Sequence, residues 1–325
     1  MKDMVLFSQA AADIQYVLYL YAKYKDSHKI KIVAVNVQNN YKFYQSLDLE
    51  ATVEFVPVIS QSHIVKFLLH SLRIRQIYRK IFSSMQNSEV YFFAKDYDYV
   101  TAFFIEKLTK NNNIYFYDIY HIDGKEVNSI GISLKKILSR LLFGINIRFF
   151  SMPPYIAYQY LYDRKIIKEI DLKIEGYLLS KYKYTINNNN NKENLLFFES
   201  NGEKDLGFLQ YKVDLKIILD IVCVKYNVYI KPHPRVGYSS TLDRYKVNFI
   251  PDFVPSELIN VNDFNVVIGI DSTSIATVLH PNSYCLIEMF SFVDDDRKKY
   301  LKKYLENICD SKLNYLTPQQ IKTTI

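Results

Sequence analysis

A basic loop around one histidine carries the residues of this sequence best suited to chemistry. It follows an apolar run at residues 228–230 that predicts a buried strand. Its residues are Lys231, Pro232, His233, Pro234 and Arg235. Because proline fixes φ, the two prolines hold His233 in one place, and a histidine between two cations at a strand end suits a phosphate group. The alternative is a surface turn whose charges are incidental.

A second group of polar residues follows another apolar strand pattern, at residues 266–270. It consists of Asp271, Ser272, Thr273 and Ser274, at the predicted start of a helix. The free N–H groups of a helix start attract anions, and hydroxyl side chains add further donors. Serine and aspartate are also common N-caps, so this segment indicates either helix capping or phosphate binding.

Glu257 lies between these two segments, 24 residues after His233, at a predicted strand-to-helix junction that begins with Pro255 and Ser256. A carboxylate there can accept hydrogen bonds from ribose hydroxyls. Its commoner role is to complement the positive end of a helix dipole. The order and spacing of the three segments are more specific than any one of them.

This order resembles the nucleotide-binding half of bacterial GT-B sialyltransferases, whose signatures are a His-Pro pair, a downstream glutamate and a Ser/Thr pair. The resemblance implies that His233 and two of the hydroxyl residues at 272–274 meet the phosphate of CMP, while Glu257 meets the cytidine ribose. Which two hydroxyls take part is left open. The donor site expected from the resemblance consists of Lys231, His233, Pro234, Arg235, Glu257, Ser272, Thr273 and Ser274.

The same superfamily carries a D/E-D/E-G motif in its N-terminal half, where a carboxylate acts as general base. The nearest match here is Ile122-Asp123-Gly124, in which Ile122 stands where the first acid is expected. The resemblance assigns the base to Asp123, and Asp118, at the end of the preceding apolar run, is the fallback. From the residues alone, a carboxylate on a glycine-containing loop after a strand is either a base or a turn aspartate.

The activity that the resemblance implies is inverting, metal-independent transfer of sialic acid from CMP-sialic acid to a glycan hydroxyl. The expected acceptor is a bacterial capsule polysaccharide, lipooligosaccharide or lipid-linked glycan, and no cofactor or metal is expected. Asp123 would take the proton of the attacking hydroxyl, and His233 would stabilise or protonate the departing phosphate. The alternatives are a CMP-Kdo or polyol-phosphate donor on the same fold, or a degenerate, non-catalytic subunit that binds glycan or nucleotide.

Other enzyme classes find little support. The chain has eight glycines and neither a GxGxxG nor a GxxxxGK[ST] motif, and it has no HExxH or GxSxG motif. The pattern Asp96-Tyr97-Asp98 is a DxD, as metal-dependent GT-A enzymes use, but it precedes a predicted helix whose positive end favours acids. Asp294, Asp295 and Asp296 are interpreted in the same way, as the first turn of a final helix.

The elements that must position these residues form two series. Short apolar runs at residues 4–7, 30–37, 51–56, 89–93 and 114–117 alternate with helical patterns at residues 10–25, 62–82 and 97–110. After five consecutive asparagines at residues 187–191, strand patterns resume at residues 195–199, 228–231, 247–250, 266–270 and 284–287, with an end helix at residues 294–309. The alternation predicts parallel α/β sheets.

The expected fold is therefore α/β, with two Rossmann-like doubly wound domains facing a central cleft, as the GT-B resemblance implies. Residues 1–186 form the expected acceptor domain and residues 187–325 the donor domain, whose last helix either stays with it or packs back on the N-terminal domain. Acceptor loops are expected around Ser8, Gln9 and residues 36–40.

The amino-acid composition restricts the cellular compartment and the binding partners that we expect. The formal charge of +7 suits anionic partners, but no nucleic-acid-binding signature accompanies it, so no nucleic acid is expected. The three cysteines are far apart and no run of 18 apolar residues occurs, which predicts a cytoplasmic protein. Residues 133–150 are basic and amphipathic; they predict either a helix packed on the sheet or peripheral contact with the inner membrane.

Overall fold

Two units of parallel α/β structure make up the protein. The computed structural model describes residues 1–58, 64–83, 85–93, 99–117, 125–126, 129–144, 148–151, 159–161, 167–186, 192–204, 207–233, 236–278, 280–309 and 313–325. The chain divides into Met1–Tyr182 and Lys183–Ile325, whereas the sequence analysis set the boundary after residue 186. No helix in the described parts of the chain is long and apolar enough to cross a bilayer.

The N-terminal unit is built on a six-stranded parallel sheet in the order β3-β2-β1-β4-β5-β9. Its strands are β1 (Lys2–Ser8), β2 (His28–Val35), β3 (Thr52–Val56), β4 (Glu89–Phe92), β5 (Asn113–Phe116) and β9 (Ile167–Glu169). A separate antiparallel sheet contains β6 (Lys125–Glu126), β7 (Arg148–Ser151) and β8 (Gln159–Leu161). The helices are α1 (Asp13–Tyr24), α2 (Gln38–Ser46), α3 (Ile64–Phe82), α4 (Tyr99–Leu108), α5 (Ile130–Phe143) and α6 (Gly176–Leu179).

The hydrophobic core of this unit is built around its central strand, β1. The side chains from Met4 to Phe7 are completely buried, as expected for a parallel strand covered by helices on both faces. Phe7, Phe82 of α3 and Phe104 of α4 form a cluster with ring centroids 5.2 to 6.4 Å apart. These aromatic residues therefore serve the packing of the core.

Three elements of the N-terminal unit differ from the sequence prediction. Helix α2, the small antiparallel sheet and strand β9 had not been predicted. In the segment interpreted as one amphipathic element, residues 133–143 belong to α5 and residues 148–150 to β7. The helix stops at Gly144, whose φ of +68° favours glycine and which donates to the carbonyl of Arg140.

The C-terminal unit contains a five-stranded parallel sheet in the order β12-β11-β10-β13-β14. Its strands are β10 (Asn194–Phe198), β11 (Asn227–Lys231), β12 (Asn248–Phe249), β13 (Val266–Gly269) and β14 (Ser283–Cys285). Its helices are α7 (Tyr211–Lys225), α8 (Thr273–Thr277), α9 (Asp295–Ile308) and α10 (Ile321–Thr324). Helix α9 contacts α8, and its Lys302 is paired with Glu288 of the same unit.

In both sheets, successive strands are added first on one side of the first strand and then on its other side. Chain order runs outward from β1 to β3 on one side and continues through β4 on the other, and β10 separates β11 from β13 in the same way. The predicted α/β class with two Rossmann-like, doubly wound units is confirmed. Ligands of such sheets bind at the carboxyl ends of the strands beside this reversal. The loops after β1 and β10 are therefore the places to look for a site.

Candidate functional site

The carboxyl edge of the C-terminal sheet gathers the polar segments singled out in the sequence. Strands β10, β11, β12 and β13 are mutually parallel neighbours, so the residues that follow them lie along one edge. These residues include Glu199 after β10, Lys231 and His233 at the end of β11, Glu257 after β12, and Ser272 after β13. The edge thus combines cations, hydroxyls and carboxylates that the sequence separates by up to 73 residues, from 199 to 272.

Lys231 is a buried amine at the end of β11, with 5% of its surface exposed. Its Nζ donates to the carbonyl oxygens of Pro232 and Asp252, each at 3.1 Å. An ammonium has three N–H donors, and the described residues accept two of them. Burial lowers the pKa of Lys231 to about 8, and the charges of Asp252 and Glu257 oppose that shift. The amine is therefore mostly charged at neutral pH and loses its proton slightly above it.

His233 begins a tight turn that closes on Gly237. The N–H of His233 donates to the carbonyl of Gly237 at 3.1 Å, and the N–H of Gly237 donates back at 2.9 Å. Gly237 has φ +73°, which a side chain would disfavour. The His233 side chain is partly exposed at this turn. Pro234 and Arg235, also predicted at the donor site, lie outside the described residues.

Ser272 and Ser274 both form hydrogen bonds around the start of α8. Ser272 caps the helix by accepting from the N–H of Ser274 at 3.2 Å, and the Ser274 hydroxyl donates to that of Ser256 at 2.8 Å. Thr273 is exposed. Helix α8 has only five residues, so its dipole contributes less than the helix-start interpretation assumed. A Cβ on Gly269 would meet Ile275 Cβ at 2.8 Å, so glycine allows α8 to approach β13 this closely.

Glu257 is exposed and lies in a 3-10 turn, Ser256–Leu258. The prediction that a helix begins here is therefore wrong. The chain becomes extended again at Ile259, which pairs with Tyr184, so no α-helix can continue from the turn. The Ser274–Ser256 bond nevertheless brings the residue before Glu257 to the start of α8.

Glu199 is a buried carboxylate that the sequence analysis did not select. It directly follows β10 and has 2% of its surface exposed. Its Oε1 accepts three hydrogen bonds, from the Ser239 hydroxyl at 2.5 Å, the Tyr211 hydroxyl at 2.6 Å and the Asn201 N–H at 2.8 Å. Its Oε2 is buried and accepts none from the described residues. Burial raises the pKa of Glu199, while the bonds from Ser239 and Tyr211 oppose that shift.

The loop that carries Glu199 holds the turn that carries His233. The Asn201 side-chain amide donates to the carbonyl of Val236 at 2.6 Å, and Lys204 Nζ donates to the same oxygen at 2.7 Å. Gly202 makes room for this arrangement, because a Cβ there would lie 2.3 Å from the Tyr211 ring. Residues after β10 thus hold the chain at Val236, next to Gly237.

The N-terminal unit also has a buried carboxylate beside its central strand. Asp13, in the first turn of α1, has no exposed surface. Its Oδ2 accepts from the N–H groups of Gln9 at 2.5 Å and Ala10 at 2.9 Å, and its Oδ1 is buried without a described donor. Burial raises the pKa of Asp13 to about 7, against the effect of those two N–H groups. Near neutral pH this carboxyl can therefore take up or release a proton.

Two of the residues expected in acceptor loops lie beside Asp13 as a buried polar cluster. Ser8, the last residue of β1, accepts hydrogen bonds from Asn40 Nδ2 at 2.8 Å and from the Tyr44 hydroxyl at 3.0 Å. Asn40 also donates to the carbonyl of Ala10 at 2.7 Å. The cluster therefore fixes the loop after β1 on which the Asp13 carboxylate depends.

Several predicted residues cannot be assessed from the described part of the chain. Asp118, Asp123, Gly124 and the pattern at residues 96–98 lie outside it. Across the described ranges, no group of three or more His, Cys, Asp or Glu side chains is arranged to hold a metal ion.

No protein-family model matches this chain, and none of the curated proteins matches it. Among solved structures it is similar to E. coli heptosyltransferase WaaC with ADP, with 8% identity and a TM-score of 0.43 over 94% of this chain and 100% of that one. It is similar to S. aureus MnaA with UDP, with 10% identity and a TM-score of 0.46 over 100% and 90% of the two chains. It is also similar to Acinetobacter baumannii MurG, with 11% identity and a TM-score of 0.35 over 99% and 89%.

The two carboxylates that the sequence analysis missed share a recognisable signal. Glu199 is the first residue after a completely buried strand, and Asp13 opens the helix that follows β1, whose last five residues are buried. An acid at this point is carried to the carboxyl edge of the sheet beside the reversal of strand order. Its burial, however, depends on distant residues such as Tyr211 and Ser239, which no local pattern identifies.

Proposed function

We propose that this chain is a glycosyltransferase of the GT-B type that transfers a sugar from a nucleotide-activated donor to a glycan hydroxyl, with inversion and without a metal ion. The donor we prefer is CMP-sialic acid, which the order of the donor motifs in the sequence favours. The acceptor is a bacterial surface polysaccharide, a lipooligosaccharide or a lipid-linked glycan. The donor binds at the carboxyl edge of the C-terminal sheet.

The observation that supports this proposal most is a pair of hydrogen bonds that join the three motif segments. Lys231 Nζ donates to the carbonyl of Asp252, which links the His233 loop to the segment that carries Glu257. The Ser274 hydroxyl donates to Ser256, which links the start of α8 to the same segment. The two bonds connect the segments expected to meet phosphate and ribose at one edge of the sheet, and this edge is where doubly wound folds bind nucleotides.

Phosphate recognition is the chemistry best served by this edge. The remaining N–H of Lys231 offers a charge-assisted bond in a site of low dielectric, where such bonds are strong. His233, on its closed turn, can stabilise or protonate the phosphate as the bond to the sugar breaks. Hydroxyls at residues 272–274 add neutral donors, and the exposed Glu257 can accept from the ribose.

Transfer also needs a base for the acceptor hydroxyl. We assign this role to Asp123 because of its place in the D/E-D/E-G pattern, with Asp118, at the end of the preceding apolar run, as the fallback. Asp13 is a third candidate, on different grounds: it is a buried carboxyl with a pKa of about 7 and one oxygen without a described donor. The base takes the hydroxyl proton, the oxygen attacks the anomeric carbon, and the bond from that carbon to the donor phosphate breaks.

A ligand panel tests the donor assignment. CMP, CMP-sialic acid, CMP-Kdo, UDP-sugars and GDP-sugars would be compared by thermal shift, with and without Mn²⁺. A ligand at a hundredfold its dissociation constant stabilises the protein by about 2.7 kcal/mol, which a melting curve detects. We expect CMP and CMP-sialic acid to raise the melting temperature without metal. Stabilisation by UDP- or GDP-sugars alone would overturn the CMP assignment, and a flat panel would favour a non-catalytic role.

The role of Lys231 predicts a pH dependence of donor affinity. Because burial lowers the pKa of Lys231 to about 8, the charge that binds phosphate disappears as the pH rises through that value. We expect CMP affinity to fall about tenfold between pH 7 and pH 9, in line with losing one charged hydrogen bond. In Lys231→Met the affinity should be low throughout and the pH dependence absent. Lys216→Met, an exposed lysine on α7, is the matched control and should behave like the wild type.

Three aspartate variants separate the candidate bases. Asp13→Asn, Asp118→Asn and Asp123→Asn would be assayed for transfer and, in parallel, for CMP binding. Loss of the base should lower kcat at least about a hundredfold and leave CMP affinity unchanged. If Asp123→Asn retains wild-type kcat, the base is one of the other two. If all three retain it, the general-base step of the proposal is wrong.

A further inference from the structure

Helix α5 has apolar residues on two opposite faces. One face is packed inside the N-terminal unit through residues such as Ile132 and Phe143, which are buried. The opposite face is exposed, and we call its apolar residues the α5 ridge. The ridge residues are Ile130, Leu134, Ile137, Leu138 and Leu141, with 37% to 86% of their surfaces exposed. Their spacing of three or four residues places them in one stripe along the helix.

Helix α3 extends this exposed surface. It contacts α5, and Arg75 of α3 donates to the carbonyl of Leu142 near the end of α5. Leu69 and Leu72 of α3 are also exposed, with 64% and 59% of their surfaces accessible. Exposed aliphatic side chains on two adjacent helices are unusual for a surface that faces only water.

The charge of these two helices has a single sign. Helix α3 contains five Lys or Arg residues and α5 contains three, and neither contains an Asp or a Glu. The exposed cations described on them include Arg73, Arg79, Lys80 and Arg140. Aliphatic side chains and cations therefore alternate over one surface without any acid in either helix.

A pocket of about 370 Å³ opens beside the ridge. Its lining residues are Arg75, Tyr78, Arg79, Phe103, Lys107, Leu141, Phe143 and Gly144. Three of them are cations, and the lining described contains no acid. Leu141 belongs to both the pocket and the ridge, so a group held by the cations lies directly next to the exposed leucines. Cations beside aromatic and aliphatic walls suit an anionic head with an apolar tail.

We propose that the surface formed by the α5 ridge and the exposed side of α3 docks on a lipid bilayer that contains anionic phospholipids. The ridge enters the boundary between headgroups and acyl chains, and the pocket holds a lipid phosphate between Arg75, Arg79 and Lys107. An amphipathic surface of this kind combines burial of apolar area with attraction to anionic lipid. Such docking would bring the enzyme of the proposed function to lipid-linked acceptors, but it does not depend on that function.

The charge pattern favours lipid over a second copy of the chain. A twofold contact through this surface would bring the same residues of two molecules together, so the exposed cations of one molecule, among them Arg79 and Arg140, would face those of the other. Like charges at an interface cost several kcal/mol. An anionic bilayer meets the same surface with opposite charge and a matching apolar layer.

The absence of tryptophan from this chain allows a direct test of insertion. Leu141→Trp adds a single reporter on the ridge, and Val213→Trp adds one at an exposed position of α7 in the other unit as the matched control. Vesicles of phosphatidylcholine, with and without about 30% phosphatidylglycerol, would be added to each. We expect the emission of Leu141→Trp to shift to shorter wavelength only with phosphatidylglycerol, and that of Val213→Trp to stay unchanged. No shift for Leu141→Trp, or equal shifts for both variants, would overturn the proposal.

Co-sedimentation with the same vesicles tests which residues bind. Leu134→Glu/Leu141→Glu should lower the partition coefficient at least about tenfold, and Arg79→Glu/Lys107→Glu at least about fivefold. The matched controls on exposed positions of the other unit are Val213→Glu/Ile217→Glu and Lys216→Glu/Arg244→Glu, which should bind like the wild type. Circular dichroism and melting curves would establish that all four variants fold.

Three outcomes of the sedimentation test contradict lipid docking. The first is equal binding to vesicles with and without phosphatidylglycerol, because the cations would then play no part. The second is an equal loss in ridge variants and controls. The third is self-association without vesicles that the ridge variants abolish, because the occupant would then be a second copy. Binding is read out without donor or acceptor, so a failure here is distinguishable from a failure of the glycosyltransferase proposal.

Discussion

Each unit buries one carboxylate beside the first strand of its sheet, yet the two are held in different ways. Asp13 receives its hydrogen bonds from the N–H groups of Gln9 and Ala10, on its own loop. Glu199 receives one from Asn201, on its own loop, and two from the side chains of Tyr211 and Ser239, which belong to later elements. In both cases one carboxylate oxygen accepts every bond and the other accepts none from the described residues.

Because of this difference, the Asp13 carboxyl is suited to exchanging a proton, whereas the Glu199 carboxyl is suited to fixing the position of the chain segments around it. Protonation of Asp13 affects the bonds of a single short loop, and its pKa of about 7 places that event near neutral pH. Any change at Glu199 affects helix α7 and the chain before Thr241 together, and through Asn201 it reaches the turn that carries His233. A common position in the fold therefore does not imply a common role.

The largest expected effect concerns the pH dependence of stability at Asp13. Its folded pKa of about 7 exceeds the ordinary value of 3.8, so the folded state holds the proton more tightly. That contribution to stability is present below pH 4 and is lost as the pH rises through about 7. Between pH 4 and pH 8 the wild type should therefore lose roughly 4 kcal/mol of unfolding free energy relative to Asp13→Asn. Urea denaturation at several pH values measures this, and parallel curves for the two proteins would contradict it.

The next largest effect is expected from removing the acceptor at Glu199. Glu199→Ala leaves two buried hydroxyls without their partner, which should cost about 3 kcal/mol of unfolding free energy. Glu199→Gln keeps the shape and one acceptor oxygen, so it should cost about 1 kcal/mol. Hydrogen exchange should report faster opening at Val236 and Gly237 in the alanine variant. Unchanged exchange there would mean that Glu199 does not hold the His233 turn.

The smallest effect compares one hydroxyl in each unit. Tyr211 donates to the Glu199 carboxylate at 2.6 Å, and Tyr44 donates to the Ser8 hydroxyl at 3.0 Å. Because bonds to carboxylates are stronger than neutral ones, Tyr211→Phe should cost about 2 kcal/mol and Tyr44→Phe about 1 kcal/mol. Chemical denaturation of the two variants under the same conditions gives the ratio. An equal or reversed ratio would show that the two networks do not differ as described.

The sequence specified most of the two sheets because their strands are short, apolar and regularly spaced. Ten strand patterns were predicted, and each overlaps a strand of the structure, from residues 266–270 with β13 (Val266–Gly269) to residues 284–287, which share only two residues with β14 (Ser283–Cys285). Strand β9 was missed because its three residues, Ile167–Glu169, include two charged ones and it joins β5 across about 50 residues of chain. Its pairing is a long-range effect that no local period reveals.

The polar carboxyl edge of the C-terminal sheet was predicted better than the hydrogen bonds and the burial around it. Lys231 and Ser274 belong to segments whose local sequence, a strand followed by polar residues, already indicates a sheet edge. The bonds that join them to Asp252 and Ser256 depend on tertiary structure, as does the burial that changes the pKa of Lys231. The helix expected after Glu257 failed because the pairing of Ile259 with Tyr184 overrides a local helix-start pattern.

Strand β9 brings the two ends of a long chain segment together at one edge of the N-terminal sheet. It pairs directly with β5, so the chain leaves the sheet after Phe116 and returns at Ile167 to the neighbouring position. Everything between them, including α5 and its ridge, is an insertion whose two ends are fixed side by side. Doubling the length of such a closed segment costs only about 0.6 kcal/mol of closure entropy. Evolution or an engineer can therefore change the length and the exposed face of this segment, provided that the buried residues Ile132 and Phe143 are kept, while the sheet that carries Asp13 stays the same.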